Sequence, residues 1–155
     1  MSDVIWMRAQ VIDWTQILLD SFNHFLGYQL IARDSPKEAQ AQTLFEAPFA
    51  VVSHGIQEDP IFNYANKMAL ELWSMTWEEF TKTPSRLSAE PINREERHAM
   101  LQQAKQQGYI DNYRGVRISS TGTRFLIENA IVWNLVDSSE DKCGQAATFA
   151  HWTML

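Results

Sequence analysis

FNYANKMALELWSMTWEEF runs from Phe62 to Phe80, and its punctuation organises the rest of the chain. Ile61-Phe62-Asn63-Tyr64 has the apolar and aromatic density of a short buried strand. Asn66 stands directly before Lys67, with Met68, Leu70, Leu72 and Trp73 following. An amide there can accept a hydrogen bond from the first turn of a helix and cap it. Thr76-Trp77-Glu78-Glu79 has the spacing of a capping box, hydroxyl to the third amide and glutamate back to the first. It opens a second short helix that ends before Pro84.

Upstream, Phe49-Ala50-Val51-Val52 reads as a strand that partners Ile61–Tyr64 across a polar loop, His54–Pro60. Trp14, Leu18, Phe22 and Phe25 recur at helical spacing, with Ile17 and Leu26 widening the stripe. Asp13 and Gln16 resemble a capping box at the start of that helix, and Gly27 suits its end. Ser35-Pro36-Lys37-Glu38 combines a hydroxyl cap, a first-turn proline and a reciprocal glutamate, and the helix it opens is expected to reach Phe45.

Downstream, Asn93-Arg94-Glu95-Glu96 begins a helix through Gln107 that Gly108 stops. Tyr109–Ile118 and Arg124–Val136 are long strands joined by a hairpin at 119–123. In the second, alternation puts Phe125, Ile127, Asn129, Ile131, Trp133 and Leu135 on one face. The last strand is read as Gly144–Met154, with Gln145 and His151 sharing a face. Both faces of these strands are largely apolar, so both must be covered. The expected fold is α+β: a five-stranded antiparallel sheet with the middle helices on one face and the N-terminal helical pair on the other. Residues 1–45 form the N-terminal extension and 46–155 the domain proper, in one folded unit.

The chain has 155 residues, 45% of them apolar, enough for one core. Its net charge of −6, with scattered basic residues, opposes nucleic-acid binding. One cysteine, Cys143, can form no internal disulfide, which favours a reducing compartment. Asp3 sits where a signal peptide would carry positive charge, and no apolar run reaches membrane-spanning length. A cytoplasmic location away from membranes is expected.

The order of elements resembles that of PAS domains, and Phe62–Phe80 is similar to their strand, Tyr-Ala-Asn, helix pattern. The similarity is closer to one branch, the MEKHLA domains, which stand alone in bacteria and close plant homeodomain–leucine-zipper regulators. LFEAPFAVVSHG (Leu44–Gly55), DPIFNYANKMALELW (Asp59–Trp73), PSRLSAEPINREER (Pro84–Arg97), the stretch Gly108–Leu135 and GQAATFAHW (Gly144–Trp152) carry it. The resemblance implies a sensory module with a cavity between sheet and middle helices. It names no ligand.

Candidate ligand-binding residues follow from position and chemistry. Arg86, in the polar segment Pro84–Arg97, could grip a carboxylate or phosphate with its planar fork, or pair with Glu78, Glu79 or Glu90. Asn129, Glu128 and Asn134 interrupt apolar strands. His151 shares its expected face with Gln145. Tyr64, Trp73 and Trp133 could line a pocket or fill the core. Asn66 is accounted for by capping. Haem ligation of the PAS type would need a histidine nearer Arg97 than His98, on a less charged helix. A cysteinyl flavin adduct needs a cysteine on a helix, whereas Cys143 lies in a polar turn. Non-covalent flavin stays open, and the cofactor is unknown.

No nucleophile elbow, phosphate loop, metalloprotease motif or dinucleotide fingerprint is present, so an enzyme is not expected. The leading expectation is a sensory module that binds a small apolar or amphipathic ligand and signals to a separate protein partner. The alternative is a ligand-free interaction module with a plugged cavity. A homodimer is compatible with either. A small enzyme using a buried Glu128 or His151 ranks third.

Overall fold

The computed structural model describes residues 4–88 and 94–155. A 3-10 turn (Ile5–Met7) leads into α1 (Ala9–Leu26) and α2 (Lys37–Phe45). The hairpin of β1 (Ala50–His54) and β2 (Phe62–Ala65) follows, then α3 (Lys67–Trp73), α4 (Trp77–Phe80), a second 3-10 turn (Ser85–Ser88) and α5 (Arg94–Gln107). The chain ends in β3 (Tyr109–Ile118), β4 (Arg124–Val136), β5 (Lys142–Phe149) and β6 (His151–Met154). The sheet runs β2-β1-β5-β4-β3, with β6 also on β4, and every pairing is antiparallel.

Helix ends follow local chemistry where the signal is a side chain. Thr76 and Glu79 form the reciprocal box, Oγ1 accepting from the Glu79 amide at 3.1 Å and Oε1 from the Thr76 amide at 3.0 Å. Gly27 and Gly108 adopt the left-handed conformations, φ 81° and 88°, that stop α1 and α5. Two expectations fail. α1 begins at Ala9, with Arg8 as a cap that offers no side-chain bond, so Asp13 lies inside the helix. Burial of Val11 and Ile12 carries the helix back past that apparent signal. Pro36, not Ser35, caps α2 without a side-chain bond, and the Ser35 carbonyl accepts instead from Gln40 Nε2 at 2.6 Å.

Two cores flank the sheet. On the outer face α1 and α2 press Leu18, Leu19, Phe22 and Leu44 against Val51, Trp133 and Leu135, all fully buried. Polar stitches fix α1 there: Trp133 Nε1 donates to the Leu18 carbonyl at 3.2 Å, the Val136 amide to Ser21 Oγ at 3.0 Å, and Trp14 Nε1 to Ser53 Oγ at 2.9 Å. Arg33 ties the α1–α2 connection, donating to Gln40, Gln16 and Asp20. On the inner face α3 and α4 place Ala69, Trp73 and Phe80 against Val52, Phe125, Ile127 and Phe149. The expected two-sided cover is therefore present.

Asn66 does more than cap. Its side-chain carbonyl accepts from the Ala69 amide at 3.2 Å and the Val51 amide at 3.0 Å. Its amide nitrogen donates to the carbonyls of Leu44 (3.1 Å) and Phe49 (2.7 Å). One fully buried side chain thus locks the end of α2, β1 and α3 together.

The long strands depart from simple alternation along one line. Asn112 in β3 and Asn129 in β4 both have φ 54°, and Ala150 is a bend that divides the expected last strand into β5 and β6. Across this line β4 keeps its register with β5 and β6: Ile131 faces Thr148, and three residues along each strand Glu128 faces His151, while the β3–β4 ladder shifts on either side of Tyr113 and then returns to step. What changes is facing. Phe125 and Ile127 join the inner core, but so do Ala130 and Phe149, whereas Ile131, Trp133 and Leu135 join the outer one. The expected single face from Phe125 to Leu135 is corrected accordingly, because Asn129 inserts one residue with left-handed backbone and inverts the pleat. Counting the break at Ala150, the sheet has six strands rather than five.

Candidate functional site

Between the inner sheet face and the segment from α3 to Ser88 lies a cavity of about 70 Å³. Its apolar wall is Val52, Phe62, Trp73, Ile127, Val132, Ala147 and Phe149, and its polar wall includes Ser85, Ser88, His54, Tyr113, Arg117 and Gln145. Trp73 fills one side, edge-on to Phe125 at 5.1 Å and near Phe149 at 6.1 Å. It is the last residue of α3. The Ser120 amide donates to the Trp73 carbonyl at 3.0 Å, and Ser120 Oγ to the Ser74 carbonyl at 2.7 Å, so the β3–β4 hairpin holds that helix end in place. Trp73 Nε1 is buried and has no hydrogen-bond partner among the described residues. An orphaned buried donor costs about 1–3 kcal/mol relative to a satisfied one.

The polar wall is organised by β3. Tyr113, Gly115 and Arg117 share its inner face at strand spacing. Arg117 Nη2 donates to the Tyr113 hydroxyl at 3.1 Å and Nη1 to the Val116 carbonyl at 3.1 Å. The guanidinium carbon lies 5.4 Å from the Tyr113 ring centre, within reach of a cation–π contact. Gly115 makes this possible. A Cβ there would stand 2.5 Å from the Tyr113 hydroxyl and 3.2 Å from Arg117 Nη1, so the two side chains close over space that only glycine leaves. Gln145 of β5 is buried and donates to Asn134 of β4 at 3.3 Å, and in the second 3-10 turn Ser88 Oγ donates to the Ser85 carbonyl at 2.7 Å.

Of Tyr64, Trp73, Arg86, Asn129, Trp133 and His151, the cavity receives Trp73 alone; Gln145, noted from the sequence only as sharing a face with His151, also lines it. Tyr64 lies in the outer core, edge-on to Trp77 at 5.7 Å; burial pushes its hydroxyl, without a partner among the described residues, well above the usual phenol range. Trp133 lies in the same core against Phe22 at 5.0 Å. Arg86 pairs at 3.2 Å with Asp59 on the surface, rather than with Glu78, which meets Arg8, or Glu79, which closes the capping box. Asn129 and His151 are exposed, turned outward where the pleat inverts. Glu128 meets Arg114 at 3.7 Å near the surface. Glu90 and the side chains of Arg94, Glu95, Glu96 and Arg97 lie outside the described residues. His98 is exposed on α5. Cys143 packs against the outer core, where burial first and then Asp137 raise its thiol.

Tyr113, Gly115 and Arg117 are the residues that sequence reading missed. The signal was present as Tyr-x-Gly-x-Arg in an alternating strand; the missing information was which face borders the cavity.

Residues 12–154 match the MEKHLA domain. The chain belongs to the MEKHLA domain family. Among curated relatives, the homeobox-leucine zipper protein HOX9 of Oryza sativa subsp. indica is 22% identical over 139 residues, 89% of this chain. The MEKHLA chain spans only 16% of that protein's length. Among solved structures, the PAS domain of a Colwellia psychrerythraea protein superposes with a TM-score of 0.63 at 15% identity, covering 76% of this chain and 95% of its own. A light-oxygen-voltage domain studied with a flavin analogue gives 0.58 at 13%, covering 76% and 84%. The MEKHLA domain therefore has a PAS-like fold. Among the described residues no helix is long and apolar enough to cross a membrane, and no group of three or more His, Cys, Asp or Glu side chains could hold a metal ion.

Proposed function

We propose that this MEKHLA domain is a non-enzymatic sensory module that binds a small amphipathic molecule in the inner cavity and signals through protein contacts. The observation that carries this reading is the Nε1 of Trp73, a buried donor without a partner among the described residues, on a side chain that lines the cavity; a ligand acceptor would satisfy it. The mixture of apolar and polar walls is that of a ligand site, with few polar groups fixing orientation. The ligand would act by favouring one of two arrangements of the elements around it. Its output would pass to a separate protein or to another segment of a longer chain, as the small share of the homeobox-leucine zipper relative that this domain spans supports.

A flavin does not fit these residues. The cavity, about 70 Å³, is smaller than the roughly 150 Å³ that accommodates benzene, and an isoalloxazine is three fused rings. The thiol a photoadduct would need is on the other side of the sheet.

A ligand-free interaction module is the second reading, favoured by how far Trp73 and Phe149 already fill the space. Pairing through the outer sheet face, with or without a second copy, would require displacing α1, whose Leu18, Leu19 and Phe22 are fully buried there. The experiment is native and denaturing mass spectrometry of the purified protein, followed by a fragment library monitored at the Trp73 indole N–H resonance. A released stoichiometric mass, or fragments that shift that resonance selectively, supports the sensor. A bare protein whose indole signal no fragment moves refutes it in favour of the interaction module.

A further inference from the structure

Arg8, Arg33, Arg86 and Arg114 each meet a carboxylate within 4.0 Å. Arg117, half-buried on the cavity wall, meets none among the described residues; its hydrogen bonds go to a neutral hydroxyl and a backbone carbonyl. Both are weaker acceptors for a guanidinium than an anion. Gly115 keeps the Tyr113–Arg117 pair folded over the strand, so the cation is held against the cavity rather than free to extend into solvent. The same cavity is lined by Trp73, Ile127 and Phe149, Ile127 directly across the ladder from Gly115. A cation and apolar, aromatic surface lining one cavity describe an amphipathic anion.

We propose that the cavity takes a small monocarboxylate, its carboxylate against the Arg117 guanidinium and its short apolar body against Trp73, Ile127 and Phe149. This rests on the sensor reading above and specifies its ligand. The planar fork of arginine matches two carboxylate oxygens, and partial burial weakens the screening that makes exposed pairs ineffective. Volume sets the size: about 70 Å³ is half the roughly 150 Å³ that holds benzene, so the body is a few carbons long. A phosphate monoester, at close to two negative charges near neutral pH, would be underpaid by a single guanidinium, which favours the carboxylate.

The test is titration of the full chain with acetate and propionate, with their primary amides and with inorganic phosphate, followed by calorimetry and by the Trp73 indole N–H resonance. At least one acid is expected to bind at least about tenfold more tightly than its amide, as for a charge-assisted over a neutral bond. Arg117→Gln should abolish that preference, and Gly115→Ala should reduce it by displacing the fork without removing the charge. Comparison of acid with amide in the unaltered protein needs no variant to fold. If acid and amide bind alike, or if phosphate binds in place of the acids, the carboxylate assignment is overturned while the ligand-binding cavity stands. If neither acids, amides nor the wider fragment library move the Trp73 resonance, the sensor reading falls with it.

Discussion

Replacing Asn66 by alanine tests the claim that one buried amide joins three elements. The substitution strands the Val51 and Ala69 amides, which donate to Oδ1 at 3.0 and 3.2 Å, and removes the donations to Leu44 and Phe49. The Leu44 carbonyl keeps the Ala47 amide, at 3.3 Å, so its loss is cushioned. Two stranded buried donors at about 1–3 kcal/mol each, one of them also a helix cap worth about 1 kcal/mol, give an expected cost of about 3–5 kcal/mol. That is a large part of a typical domain stability of about 5–15 kcal/mol, and at roughly 2–4 °C per kcal/mol it lowers Tm by about 10 °C. Asn66→Asp separates the roles. The carboxylate still accepts from both amides but cannot donate, and it opposes two carbonyls, so at neutral pH it should cost about 2–4 kcal/mol. Urea unfolding followed by far-ultraviolet circular dichroism and tryptophan fluorescence reads both variants, with an unchanged m-value confirming a change in stability alone. An alanine variant costing less than about 1 kcal/mol, or an aspartate variant as stable as the parent, would show that capping alone accounts for Asn66.

Gly108→Ala should destabilise by about 2 kcal/mol or more, since a side chain is strained at φ 88° and its Cβ would lie 2.2 Å from the Phe25 ring; thermal unfolding measures it. Asn129→Gly should be near neutral and Asn129→Val costly by about 1–2 kcal/mol, because a β-branched residue resists the φ of 54° there; equal stabilities of the two variants would refute the inverted pleat. The Thr76 amide, and after it the Thr76 side chain, hold the Glu79 carboxyl below the usual carboxylate range. A depressed folded value gives stability present above the unfolded pKa and lost as pH falls through the folded one. Acid titration of Glu79→Gln against the parent should therefore show the two stabilities converging on the acid side of the carboxylate range, and a constant gap down to low pH would contradict it.

Legibility from sequence followed the range of each signal. The Thr76–Glu79 box, the Asn66 cap and the glycine stops at 27 and 108 are encoded within a turn of the residues they govern, and each is present. The start of α1 misled because Asp13 and Gln16 mimic a cap while burial of Val11 and Ile12, a tertiary effect, decides the boundary. Some candidate residues lie away from the cavity for a related reason. His151 and Asn129 were placed by alternation, and alternation breaks at Asn129 itself and at Ala150, just before His151. Trp133 and Tyr64 are as aromatic as Trp73, and only the sheet's two-sided packing separates core from cavity. The MEKHLA resemblance, carried by motifs spread along most of the chain, was borne out by the match over residues 12–154.

The line of Asn112, Asn129 and Ala150 carries one more consequence, for the lengths this fold can tolerate. Each strand holds one extra residue at the same level of the ladder, since Tyr113 faces Ala130 and the pairs beyond resume in step. Removing Asn129 alone would restore perfect alternation in β4 yet offset its far half from both neighbours. Removing all three together would shorten the sheet by one rung while leaving every remaining residue opposite its present partner and facing its present core. Single deletions should therefore unfold the chain where the triple deletion folds. Change of length at this level comes in threes, one residue from each strand, or not at all.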